Sequence, residues 1–128
     1  PHRGEFSETV GYKIYGPNKT LLFIPDIDKW YLWEKSIIDE IKKVDYALID
    51  ATFYDAKEVN YRDFSEIPHP FVVESMELFD SIKEEEKNKI FFIHLNHTNP
   101  LINEKSEEYK LVISKGYNVA KEGMILKL

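Results

Sequence analysis

From Thr9 to Tyr15 the chain reads TVGYKIY, with apolar and polar side chains alternating at the period of a strand. Gly16-Pro17-Asn18 is turn chemistry, and Lys19 to Ile24 then reads KTLLFI, ended by Pro25. The pair predicts a hairpin whose second strand is well buried. Trp30, Trp33, Ile37, Ile38 and Ile41 fall at helical spacing and predict a helix over 30–43, with Asp28 as a candidate cap. Asp45 to Ala51 reads DYALIDA, a buried strand that stops at a polar end. Thr52 to Pro70 shows no period and predicts a long loop, a length uncommon unless it is functional or disordered. A second helix is expected over 71–87, with Val72, Met76, Phe79 and Ile82 on one stripe and a solvated charge run at its end. Lys89 to Leu95 reads KIFFIHL, another buried strand. A turn over 96–100 and a helix over 104–115, stopped by Gly116, follow. The last two segments, 117–120 and 124–128, read as a hairpin around Glu122-Gly123.

Helices alternating with buried strands predict an α/β layered architecture. With 128 residues, the chain is expected to form one domain. Apolar residues at 43% and charged residues at 31% suit a folded chain. A net charge of −6 argues against a dedicated nucleic-acid binder. The absence of cysteine rules out a disulfide scaffold, a thiolate zinc site and a cysteine nucleophile. No apolar run has membrane-spanning length, and no Gly-rich phosphate loop is present. The opening Pro1-His2-Arg3 lacks a leader pattern and an initiator Met, which reads as a start inside a longer parent or after processing. The sequence does not set the compartment; a cytoplasmic one is the working expectation.

Sheets of this class place ligands beyond the carboxyl ends of their strands. Asp26 and Asp28 follow LLFI, Asp50 ends YALI, and His94, Asn96 and His97 end IFFI. His69 stands in the long loop and His2 precedes the first strand. Imidazole and carboxylate are the donors that suit a divalent ion where no thiolate exists. Imidazole is also the acid or base suited to neutral pH. Each position has a structural alternative. Asp28 can serve as a cap. Asp50 and the Asn96–Pro100 stretch can make turns. His94 can be a hydrogen-bonded buried group, and Trp30, Tyr31 and Trp33 can be core aromatics.

HRGEFSETVGYKI, LLFIPDIDKW, LIDATF, IHLNHTNPLI and a terminal GMILKL occur in order over nearly the whole chain. In this the chain resembles the second half of a metallo-β-lactamase-fold hydrolase, most of all the family of coenzyme PQQ synthesis protein B. PHRGEFSETVG and IHLNHTNP carry the most specific part of the resemblance. It is similar, more loosely, to the phosphodiesterase of phosphonate breakdown and to tRNA 3′-processing ribonucleases. The resemblance implies the four-layer αββα fold, with a mixed sheet and helices on one face. It implies that His2 and His94 are metal ligands and that Asp26 is the aspartate bridging two ions. It implies that His69 is the loop histidine of the phosphodiesterase branch, a proton donor or a partner behind the ligands. It implies that Asp50 in DATF is the acidic residue of the ribonucleases' Ala-Thr box and could pair with His69, and that His97 is the second histidine found just after the ligand in the phosphodiesterase branch.

The family's HxHxDH signature lies upstream of Pro1, so the chain is expected to hold a C-terminal half and an incomplete site. The metal implied is zinc, with iron or manganese as alternatives, and the chemistry is hydrolysis by metal-activated water. If the likeness extends to function, the role could instead be oxidative with iron. An alternative of another class is a catalytically inert, self-associating domain. The isolated chain is expected to be inactive. Its expected partners are a small-molecule substrate and a second copy or the absent N-terminal half, with neither nucleic acid nor membrane.

Overall fold

The predicted hairpin forms in the computed structural model, which describes residues 9–59 and 66–128. Strands β1 (Tyr12–Tyr15) and β2 (Thr20–Ile24) pair antiparallel, with Tyr12 opposite Phe23. The Gly16 N–H donates to the Lys19 carbonyl at 2.9 Å to close the turn. Strands β3 (Tyr46–Asp50), β4 (Ile90–Ile93) and β5 (Asn118–Val119) then add in parallel, giving one mixed sheet in the order β1-β2-β3-β4-β5. Helix α1 (Ile37–Lys42) joins β2 to β3, α2 (Val72–Leu78) and α3 (Glu84–Lys87) join β3 to β4, and α4 (Glu107–Ser114) precedes β5. His2 and the loop residues Asn60, Arg62, Asp63 and Ser65 lie outside the described residues. Among the described residues no helix is long and apolar enough to cross a membrane.

The strand period of two sends Leu22, Ile24, Ala47, Ile49, Ile90, Phe92 and Val119 to one face. There they form one core with Ile37, Ile41, Val72, Met76, Phe79 and Val112 from the helices. The opposite face sets Phe23, Leu48 and Phe91 side by side in register, each half-buried.

Three expected elements differ. The helix over 30–43 breaks into a 3₁₀ turn at Trp30–Leu32 and α1, because Trp33 is extended (φ −83°, ψ 135°). Both tryptophans still pack against the core, so the apolar period survives the break. Ser36, not Asp28, is the cap: its hydroxyl accepts from the Asp39 N–H at 3.3 Å. Asp28 is buried and accepts from the Lys29 N–H at 2.7 Å. The helix over 71–87 divides into α2 and α3, and the intervening turn keeps Phe79 buried while Glu84 and Glu85 of α3 stay exposed. The closing hairpin does not form. Val119 takes the open edge of β4 instead, with Phe91 paired to Asn118 and the Ala120 N–H donating to the Phe92 carbonyl at 3.0 Å. Residues 124–128 carry no strand.

Glu40 on α1 receives the Lys13 ammonium at 2.8 Å and that of Lys43 at 2.7 Å. Those hydrogen bonds hold its carboxyl at about 2, below the ordinary 4.5. A depressed carboxyl stabilises the fold above its unfolded value, and the contribution disappears as pH falls from 4.5 toward about 2. The lysine ends are partly exposed, so the contribution is about 1 kcal/mol after screening. Urea unfolding at pH 6 and pH 2.5 is expected to show a smaller loss of stability on acidification in Glu40→Gln than in the unsubstituted chain. Equal losses would refute the assignment.

Candidate metal centre

Three strands deliver acidic or imidazole groups to one end of the sheet. Asp26 lies two residues beyond β2, Asp50 is the last residue of β3, and His94 is the first residue beyond β4. The long loop returns His69 to the same place, just before α2. One donor atom from each of Asp26, Asp50, His69 and His94 lies within 4.8 Å of the others. Among the described residues this is the group of donors that could hold a metal ion.

Asp50 is the hub. Its side chain is fully buried. Oδ2 accepts from the Ile27 N–H at 3.1 Å and lies 2.8 Å from His69 Nδ1. Oδ1 accepts from the Thr52 N–H at 2.8 Å and from the Thr52 hydroxyl at 2.7 Å. Burial pushes the Asp50 carboxyl up, but the His69 and His94 rings and the Thr52 hydroxyl outweigh it and set it at about 2.

Thr52 carries the same order to both histidines. Its Oγ1 lies 3.2 Å from His69 Nδ1 and 3.0 Å from His94 Nδ1. Its single proton goes to Asp50, so the oxygen accepts from ring nitrogens. The Asp50 carboxylate, 3.8 Å from His94 Nδ1, raises the His94 pKa above its ordinary value against the opposing effect of burial.

His94 turns the chain out of β4 at φ 62°, a left-handed conformation that side chains seldom adopt. The loop is held from beyond. The Asn96 N–H donates to the Thr52 carbonyl at 2.9 Å, and the buried Asn99 amide donates to the Ala51 carbonyl at 2.7 Å. Strain at one ligand candidate is thus offset by bonds from the loop it opens.

Asp26, Asp50, His69 and His94 therefore come together. His97 does not join them: it is exposed, with Nδ1 at 3.1 Å from the Asn96 side-chain oxygen. Sequence reasoning passed over Thr52, although a threonine two residues after an aspartate is the spacing at which that aspartate accepts from the threonine amide. Beside His69 lies an open cavity of about 760 Å³, lined among the described residues by Phe53, Glu58, Val59, Glu66, Ile67 and Pro68. Two carboxylates and two imidazoles form a donor set of the kind that zinc and iron accept.

A family model described as a β-lactamase superfamily domain matches residues 1–95. The coenzyme PQQ synthesis protein B of Gluconobacter oxydans is 29% identical over 126 residues, covering 94% of this chain and 40% of the relative. The protein of that name from Acinetobacter baumannii is 25% identical, covering 100% of this chain and 43% of the relative. The crystal structure of zinc-bound PqqB from Methylobacterium extorquens superposes with a TM-score of 0.73 at 25% identity, covering 92% of this chain and 40% of that one. The chain thus spans about two fifths of the length of the relatives it matches.

Proposed function

The chain belongs to the β-lactamase superfamily, with a metallo-β-lactamase-like fold, and we propose that it contributes to the active site of a metal-dependent hydrolase acting on a small molecule. The observation that carries this reading is the convergence of Asp26, Asp50, His69 and His94 at the carboxyl end of the sheet.

Burial sorts the four into two pairs. The side chains of Asp26 and His94 are 38% and 48% exposed, those of His69 and Asp50 14% and 0%. They are the residues that would hold the metal, with His2 and donors beyond this chain completing the set. When bound, the ion supplies Lewis-acid activation of water. Asp50 is buried and fully engaged by its neighbours, which suits an orienting group. It fixes His69 through Nδ1, and we assign Nε2 of that ring the proton for a leaving group. The cavity beside His69 is of a size for a small molecule. The relatives' names point to coenzyme synthesis, which supports such a substrate. The half-buried face carrying Phe23, Leu48 and Phe91 would be covered by the rest of a longer chain or by a second copy.

The donor set favours one second reading, an oxidative role with iron, since two imidazoles and a carboxylate also suit that metal. Elemental analysis of the purified protein carrying this chain decides between them. Zinc is expected. Asp26→Ala is expected to lower metal affinity by about 100-fold or more, beyond the effect typical of residues behind the ligands, and to abolish hydrolysis with it. Unchanged metal content in Asp26→Ala would overturn the ligand assignment.

A further inference from the structure

We infer that Lys29 and Glu74 form a clamp, buried at its lysine end, that sets the spacing between Asp26 and His69. This rests on the metal-site reading above and adds two positioning residues to it. Lys29 is 2% exposed, and the Glu74 side chain that meets it is 35% exposed. Its ammonium lies 2.7 Å from Glu74 Oε2 and 4.1 Å from the centre of the Phe71 ring. The same Glu74 oxygen accepts the Phe71 N–H at 2.8 Å, at the start of α2. The neighbouring pair repeats the link, because the Trp30 indole N–H donates to the Ser75 hydroxyl at 2.9 Å.

The positions explain why this matters. Lys29 is three residues past Asp26, and Phe71 is two residues past His69. The clamp thus joins the segment leaving β2 to the segment entering α2, just behind the two groups that meet at 3.5 Å. Stability alone is a poor reason to bury the lysine of such a pair. Taking an ammonium out of water carries a desolvation penalty that its partner repays only where the geometry is excellent. What an apolar pair would lack is direction: a short charged hydrogen bond fixes where two segments sit. The geometry therefore assigns the pair to holding Asp26 against His69.

The test is the double variant Lys29→Met/Glu74→Gln, which leaves no unpaired charge and keeps an acceptor for the Phe71 N–H. Three quantities are read: the urea midpoint, the zinc dissociation constant by chelator competition, and the NMR signals of the His69 and His94 rings. The expected result is a near-unchanged midpoint, zinc binding weaker by about tenfold, and His69 ring signals that move while those of His94 stay. A folded double variant with zinc affinity within twofold of the original and unmoved His69 signals overturns the clamp. If the double variant fails to fold, Glu74→Gln alone is read for zinc affinity and His69 signals against the same thresholds. If the unsubstituted protein takes up no zinc, the metal reading falls, and the His69 signals by themselves decide the clamp.

Discussion

Asp50→Ala is expected to cost the fold about 3–5 kcal/mol, the range for removing one partner from a buried charged network. The reason lies in what the carboxylate leaves behind. The Ile27 and Thr52 N–H groups and the Thr52 hydroxyl all donate to it. Alanine supplies no acceptor, and each buried donor left unpaired costs about 1–3 kcal/mol. The side chain is fully buried, so water does not readily replace the lost oxygens. Urea unfolding near neutral pH measures the effect directly. Asp50→Asn separates shape from charge: it keeps one acceptor oxygen for donors that now use two, and is expected to fall between alanine and the original. A midpoint in Asp50→Ala that matches the unsubstituted chain would refute the hub.

Much of this site follows from a rule legible in the sequence. LLFI, YALI and IFFI are apolar runs that end in polar groups, and a parallel sheet brings such ends together. Asp26, Asp50 and His94 are neighbours for that reason. His69 is different. It stands in a segment without period, and only the closed loop decides where it goes; the family resemblance, not spacing, marked it out. Thr52 is harder still, because its role is a matter of one hydroxyl's three neighbours. Lys29 gave no signal at all, since a lysine after a strand normally reads as surface. The helix breaks at Trp33 and after Phe79 were hidden for another reason. The apolar side chains on either side still reach the same core, so the pattern that predicts a helix persists where the backbone has left it. The closing hairpin shows the limit of local pairing: the edge of β4 competes for the same strand, and it wins.

His69→Ala is expected to leave metal content unchanged and to lower the hydrolytic rate by about 10²–10⁴-fold, the usual contribution of a positioned acid or base. Its environment supports that division. The side chain is 14% exposed, with Nδ1 held by Asp50 at 2.8 Å and the ring packed edge-on against Phe53 at 6.0 Å between centroids. A ring fixed through Nδ1 is set to deliver a proton from Nε2 in one direction only. It borders the cavity in which a small molecule would sit, whereas Asp26 and His94 are the more exposed donors. Loss of the imidazole should therefore slow proton transfer without emptying the metal site, while Asp26→Ala should remove metal and rate together. Elemental analysis paired with turnover on both variants separates the roles. Metal lost from His69→Ala would make the histidine a ligand, and a rate preserved in that variant would sink its part as proton donor.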